Sequence, residues 1–167
     1  GSGIDISGGD DIIVNGFVCD NNGFGMKTST GLPSAIITNG IISNSNWHGF
    51  RMSGEAERLI IDNLFIHGCG DNGMNLRYGG DVKIGRLHIW DVNNDGVTDA
   101  NALLVASTFD DGGGRLEIDD LLIDTTMNST STRGFTNYAD NVIVNHMNIK
   151  TNNYYCYYGN GAGRFRV

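Results

Sequence analysis

The chain has 167 residues and a formal net charge of −8, with eleven Lys and Arg residues against nineteen Asp and Glu residues. This balance excludes the basic surface that a nucleic-acid-binding protein needs, so we expect no nucleic-acid partner. Hydrophobic residues make up 40 % of the chain, yet no apolar run approaches the roughly 20 residues of a membrane-spanning helix, so we expect a globular core and no membrane insertion.

Turn-forming residues dominate the composition. Gly, Asn and Asp number 25, 20 and 16, which together exceed a third of the chain, and there is a single Pro. These residues favour tight turns and left-handed backbone, and helix formers are scarce, so the composition predicts an all-β fold of short strands. The cysteines, Cys19, Cys69 and Cys156, have no CxxC spacing and predict neither a disulfide framework nor a zinc site.

An eleven-residue repeat occurs six times without gaps. Its second, fourth, seventh and ninth positions are largely apolar, and the spacing of two within each pair is strand periodicity. Residues Ile61, Ile84 and Ile118 share the fourth position and are predicted to stack. The copies are residues 11–21, 35–45, 58–68, 81–91, 115–125 and 141–151.

A two-residue corner separates the apolar pairs of each repeat. Five of the six corner pairs carry Asn or Asp, for example Asn15-Gly16, Asn39-Gly40 and Asp62-Asn63. These side chains tolerate left-handed backbone and accept or donate hydrogen bonds, so we expect a polar ladder running along the stacked corners.

A further strand precedes each repeat and begins at a glycine followed by alternating apolar residues. The copies begin at Gly3, Gly23, Gly49 and Gly73, with a weaker copy at Gly134. Three short strands and about 23 residues per turn predict a right-handed parallel β-helix of about six to seven turns, in which stacked neighbours bury the core. A β-sandwich of short strands is the alternative.

These glycine-led strands and Asn/Asp corners resemble the pectate-lyase-like right-handed parallel β-helix superfamily, in particular the bodies of phage tailspikes and polysaccharide depolymerases. The resemblance covers residues 3–151 and is specific for the fold. It implies a polysaccharide partner, with either hydrolase or lyase activity or a non-catalytic spike. A homotrimer and an extracellular or virion location are the corresponding expectations.

One long face is predicted from the outward positions of the glycine-led strand and from the residues just before its glycine. The outward positions are Asp5, Gly25, Arg51, Asn75 and Thr136, continued by Lys27, Arg77 and Tyr138; the flanking positions are Asn22, His48, Asn72, Asp95 and Arg133.

Candidate site residues cluster on this face. Trp47, Arg51, Asn75 and Arg77 offer the aromatic plane, cations and amide that bind an acidic sugar. Two alternatives remain for catalysis. The carboxyl groups of Asp71 and Asp95 on adjacent turns could lie about 5–9 Å apart, as in glycosidases, or His48 or a carboxylate could act as the base of a lyase while an arginine neutralises a uronate.

The fourth and fifth repeats are separated by an insertion that fits D-x-[DN]-x-[DN]-G-x-x-D. Its side-chain oxygens on Asp91, Asn93, Asp95 and Asp99 are typical Ca²⁺ ligands, although the bidentate acid of an EF-hand is missing because Ala102 stands there. If Ca²⁺ binds, Asp95 is a ligand rather than a catalytic acid. Residues 102–106 are predicted to be the displaced glycine-led strand of this turn.

We expect residues 1–167 to form a single β-helix domain that is a piece of a longer chain. The function predicted is polysaccharide binding with degradation. The alternative is a non-catalytic spike or adhesin segment that spaces or presents other domains.

Overall fold

The computed structural model of the chain describes residues 1–9, 11–29, 32–77, 79–96, 100–106, 114–126, 132–151 and 155–159. All regular secondary structure within these ranges is β-strand. The strands are β1 Ser2–Ile6, β2 Ile12–Asp20, β3 Phe24–Thr28, β4 Leu32–Ser43, β5 Phe50–Met52, β6 Ala56–Cys69, β7 Met74–Leu76, β8 Gly80–Val92, β9 Asn101–Val105, β10 Arg115–Thr125, β11 Arg133–Asn137, β12 Val142–Thr151 and β13 Tyr157–Gly159.

The strands alternate between two parallel sheets. The odd-numbered strands form a seven-stranded first sheet, and the even-numbered strands form a six-stranded second sheet, each in chain order. Every long strand of the second sheet spans two apolar pairs with the corner between them, so each turn has three strand segments. The predicted parallel β-helix of about six turns is therefore confirmed.

The core consists of apolar columns parallel to the helix axis. Ile61 pairs with Ile84, and Ile84 with Ile118, and all three side chains are fully buried, as predicted. Phe50 and Phe135 are the largest fully buried side chains and extend the core beneath the first sheet. Since a single turn cannot enclose these side chains, each turn depends on its neighbours for burial.

A column of glycines packs against isoleucines of the second sheet. A Cβ built on Gly25, Gly49 or Gly73 would lie only 2.1, 2.3 and 2.5 Å from the Cγ2 atom of the isoleucine packed against it. Those isoleucines, Ile42, Ile66 and Ile89, occupy the ninth repeat position. Glycine is therefore required here by packing, since none of the three has a positive φ.

Two register predictions near the N-terminus were wrong. Val14 pairs with Ile37, not Thr38, so the second repeat begins one residue earlier than predicted and its corner is Thr38-Asn39. Gly40 then lies in the seventh column, where the ring of Phe17 fills the space that a side chain would occupy. In the first sheet, Met26 pairs with Phe50, so Gly25 rather than Gly23 is the equivalent of Gly49.

The predicted polar ladder is present at the corners. Asn39 donates from Nδ2 to Oδ1 of Asn15 at 2.9 Å, and Asn63 donates to Oδ1 of Asn39 at 2.8 Å. Asn145 donates to Asp119 in the same way at 2.9 Å. Asn39 and Asn63 have positive φ values of 53° and 55°, a conformation that Asn adopts more readily than most residues.

The predicted displaced strand is also present. Residues 101–105 form β9, which pairs with β7 on one side and β11 on the other. Ala102 takes the place in the column that glycine holds in neighbouring turns. Within the described ranges, no helix has the length and apolar character needed to cross a membrane.

We expect the substitution Asn39→Ala to destabilise the fold by about 1–3 kcal/mol, because it removes two ladder hydrogen bonds and strains a left-handed residue. Asn39→Gly is the matched control, since glycine removes the same hydrogen bonds but accepts the positive φ. Urea unfolding followed by circular dichroism should show the smaller loss for the glycine variant. Equal losses would contradict a role for the left-handed backbone.

Candidate functional site

The loops that lead into the first sheet are stacked on one another by backbone hydrogen bonds. Trp47 donates its N–H to the carbonyl of Gly23, Asp71 donates to the carbonyl of Trp47, and Asn93 donates to the carbonyl of Asp71. These contacts place Trp47 and Asp71 on successive turns at one edge of the first sheet. Residues that are 24 apart in sequence are thereby brought together.

His48 lies at the centre of the polar residues on this edge. Its Nδ1 atom is 3.4 Å from Oδ2 of Asp71 and 3.2 Å from Nδ2 of Asn72, and its Nε2 atom is 3.5 Å from Nδ2 of Asn75. The histidine is buried, with 7 % of its surface exposed. The candidate acid–base groups His48 and Asp71 are therefore in contact.

Burial changes the protonation of both groups. Desolvation, aided by the nearby charges of Arg51 and Arg77, lowers the pKa of His48 to about 4, so the imidazole is neutral at pH 7. Desolvation also raises the pKa of Asp71, with a further contribution from Asp95, while a backbone hydrogen bond from Asn72 and the charge of Arg51 oppose the rise. The site thus brings together a neutral imidazole and a carboxyl group with an increased proton affinity.

An aromatic and cationic surface adjoins this pair. The rings of Phe24 and Trp47 are stacked with centroids 6.4 Å apart, and the guanidinium carbon of Arg51 lies 5.6 Å from the Phe24 ring. Trp47 is 59 % exposed. We call Phe24, Trp47 and Arg51 the aromatic–arginine surface.

Two buried polar atoms beside this surface have no hydrogen-bond partner among the described residues. They are Nε of Arg51 and Oδ1 of Asn75. The two residues are neighbours in one outward column, since Arg51 pairs with Asn75 across β5 and β7. Buried polar groups are nearly always hydrogen-bonded, so these atoms require explanation.

The register corrects the predicted columns. Lys27, not Gly25, is the outward neighbour of Arg51, and Phe24, not Asn22, precedes His48 in the flanking column. Asn101 occupies the flanking position predicted for Asp95. His48 and Asn72 were placed correctly.

The other predicted residues lie around the same edge. Arg77 is exposed and is close enough to His48 to lower its pKa. Asp95 lies on the turn next to Asp71, where its N–H donates to the carbonyl of Gly70. Its charge acts on Asp71, so the adjacent-turn arrangement of the two acids is present.

The predicted calcium loop is only partly described. Asp91 and Asn93 have left-handed backbone, and the buried side chain of Asn93 donates to Oγ1 of Thr132 at 3.2 Å. Asp99 lies outside the described residues. Within those residues, no group of three or more His, Cys, Asp or Glu side chains is placed to hold a metal ion, and Ca²⁺ binding stays a prediction.

Sequence reasoning missed two groups of residues. The first consists of Asn101, which links Thr136, a residue already predicted on this face, to the polar network of His48; the signal for Asn101 was its position just before the displaced strand. The second group is an aromatic cluster outside the second sheet, where Trp90 stacks on His67 at 4.6 Å and contacts His88 at 4.5 Å. His88 and Trp90 share one face of β8, and the pairing of β6 with β8 brings His67 to them.

Comparison with known proteins gave no match: no protein-family model, no curated protein and no solved structure matches this chain. The fold and the site geometry therefore carry the functional argument.

We expect His48 to lower stability as the pH falls from 6.5 towards 4. Its pKa in the folded protein, about 4, is below the ordinary value of 6.5, so in this interval the unfolded chain binds the proton and unfolding is favoured. The contribution is absent above pH 6.5 and grows by at most about 1.4 kcal/mol per pH unit.

Urea unfolding of the wild type and of the variant His48→Asn at pH 7, 5.5 and 4.5 measures this effect. The wild type should lose more stability than the variant as the pH falls. Asp71, whose raised pKa acts in the opposite direction, is present in both proteins. Parallel pH profiles would show that His48 does not carry the effect.

Proposed function

We propose that this chain is a polysaccharide-binding β-helix domain of the tailspike or depolymerase type, and that the aromatic–arginine surface binds an acidic sugar. The observation that supports this most directly is the position of the Arg51 guanidinium, whose carbon lies 5.6 Å from the ring of Phe24, which in turn stacks on the exposed Trp47. A uronate carboxylate suits such a cation, because a guanidinium group pairs with a carboxylate through parallel hydrogen bonds.

The aromatic rings support the same ligand class. A sugar ring presents C–H groups that pack on an aromatic face, and Trp47 and Phe24 offer such faces next to the cation. Arg77 adds positive charge close to His48, and Lys27 lies beside Arg51 in its column, where its ammonium group is paired with Asp5 at 3.9 Å. This local charge favours an anionic glycan over a neutral one.

We expect the wild type to bind oligosaccharides of polygalacturonate or alginate in isothermal titration calorimetry. Trp47→Ala should weaken binding about fivefold or more, since an aromatic stacking contact is worth roughly 1 kcal/mol or more. Trp90→Ala is the matched control, because Trp90 lies on the second sheet, and it should leave the affinity unchanged.

The role of Arg51 is tested with one oligosaccharide in two forms, native and with its carboxylates reduced to alcohols. Arg51→Gln should weaken binding of the native form about tenfold or more and should leave binding of the reduced form nearly unchanged. Equal affinity of the wild type for both forms would overturn the acidic-sugar proposal.

The carboxyl group of Asp71 supports cleavage of the bound glycan. In a lyase reaction, a base removes the proton at C5 of the uronate, the C4–O bond breaks, and the C4–C5 double bond forms while the leaving oxygen is protonated. In a hydrolase reaction, a carboxylic acid protonates the glycosidic oxygen as water or a carboxylate attacks the anomeric carbon. Asp71, with its raised pKa, suits a proton-transfer role in either reaction.

A non-catalytic spike is the second candidate function, favoured by apolar side chains on the outside of the second sheet. Ile13, Val18 and Ile41 are 70 %, 69 % and 42 % exposed. A second copy of this chain packed along this side would cover them, as expected for a homotrimer.

The enzyme and the spike are separated by product analysis on a panel of acidic polysaccharides. A lyase yields ultraviolet-absorbing unsaturated products and a hydrolase yields only new reducing ends, and Asp71→Asn should lower either rate at least a hundredfold. An inert wild type that sediments as a stable oligomer would favour the spike. The variant Val18→Lys should then weaken the oligomer.

A further inference from the structure

A chain of hydrogen bonds reaches His48 from neighbouring turns of the first sheet. The backbone N–H of Asn101 donates to Oδ1 of Asn72 at 2.7 Å, and Nδ2 of Asn101 donates to the same oxygen at 3.1 Å. The hydroxyl of Thr136, one turn further on, donates to Oδ1 of Asn101 at 2.5 Å. Asn72, Asn101 and Thr136 are all buried.

This chain fixes the orientation of the Asn72 amide. A backbone N–H can only donate, so the atom of Asn72 that lies 2.7 Å from the Asn101 nitrogen must be the amide oxygen. If the amide were turned over, its NH₂ group would face the two N–H donors of Asn101. This is costly because all of these donors are buried. The Nδ2 atom of Asn72 must therefore point the other way.

On that side, Nδ2 of Asn72 meets two acceptors. It lies 2.9 Å from Oδ1 of Asp71 and 3.2 Å from Nδ1 of His48, so each of its two protons is directed to one of them. An amide NH₂ group accepts no hydrogen bond, and Nδ1 of His48 must then present its lone pair. The contact from Nδ1 to Oδ2 of Asp71 is longer, at 3.4 Å.

We propose that Asn72 holds His48 as a neutral imidazole whose proton is on Nε2, and that Asn101 and Thr136 act through Asn72 as positioning residues. Neither ring nitrogen is then available as a base: Nδ1 already accepts a hydrogen bond, and Nε2 carries the proton. His48 is a hydrogen-bond donor, and Asp71 is the group that takes up or delivers a proton. This division of roles rests on the proposed function, whereas the tautomer does not.

The same assignment sets the orientation of the Asn75 amide. With a proton on Nε2, His48 needs an acceptor where Nδ2 of Asn75 lies at 3.5 Å. Turning the Asn75 amide over places Oδ1 in that position as the acceptor, and Nδ2 then takes the buried place in which Oδ1 has no partner among the described residues. The charged groups around the ring are Asp71, Arg51 and Arg77, and the two arginines favour its neutral form.

The tautomer is measured by long-range ¹H–¹⁵N correlation spectroscopy of the ¹⁵N-labelled protein at pH 7. The expected His48 pattern has a protonated Nε2 and an unprotonated Nδ1. His67 is more exposed and lies outside this network, against Trp90, and it provides an internal reference. A proton on Nδ1 of His48, or a charged ring at pH 7, would overturn the proposal.

The positioning role is tested with Asn72→Asp and Thr136→Val. A carboxylate at position 72 accepts rather than donates, so the His48 proton should move to Nδ1 and the pKa of His48 should rise. Thr136→Val should increase the population of the minor tautomer. The matched control Thr125→Val removes the hydroxyl of a buried threonine on the second sheet and should leave the His48 signals unchanged.

The outcomes of these experiments distinguish the positioning of His48 from the proposed function in binding acidic sugars. Identical His48 spectra in the wild type and both network variants would overturn the positioning role, whatever the protein binds. If Asn72→Asp fails to fold, the wild-type spectrum and Thr136→Val still decide. A His48 spectrum as expected in a protein that binds no acidic oligosaccharide would retain the tautomer and remove the proposed function.

Discussion

The constraint on which the structure depends is the vertical register between turns. Strands of a parallel sheet lie about 4.8 Å apart, so each side chain contacts the equivalent side chain of the next turn. Inside the helix these contacts are apolar, as in the column of Ile61, Ile84 and Ile118. At the corner they are the hydrogen bonds of the Asn ladder. The glycine column allows the two sheets to approach because an isoleucine methyl group occupies the place of each missing Cβ.

In the candidate site, polar residues rather than apolar ones stack from turn to turn. The flanking column passes from Phe24 to His48, Asn72 and Asn101, one residue per turn, and each backbone carbonyl from His48 onwards accepts an N–H from a glycine of the preceding turn. Because the backbone is fixed in this way, the side-chain amides have little freedom to reorient. The buried donors and acceptors of this column are therefore paired between neighbouring turns, because buried polar groups need hydrogen-bond partners.

The sequence predicted the architecture because the repeat is visible wherever apolar and polar residues alternate without ambiguity. The prediction of register failed where either of two neighbouring residues could occupy the same column. Ile36 and Ile37 are both apolar, and only pairing with Val14 shows that Ile37 faces inward; Gly23 and Gly25 pose the same ambiguity. The sequence placed His48 and Asp71 on one face but did not predict their contact, and the link through Asn101 crosses an insertion whose length hides the register.

The two ends of the flanking column differ in exposure, and this difference suits a binding site. Phe24 is partly exposed beside Trp47, whereas Asn72 and Asn101 are buried. Contact with a ligand therefore falls to the aromatic–arginine surface, and the amides beneath it hold His48 and Asp71 in place. Such support matters because a misplaced acid–base group loses most of its effect even when its pKa is suitable. Here the rigidity that the site needs comes from the stacking that forms the fold.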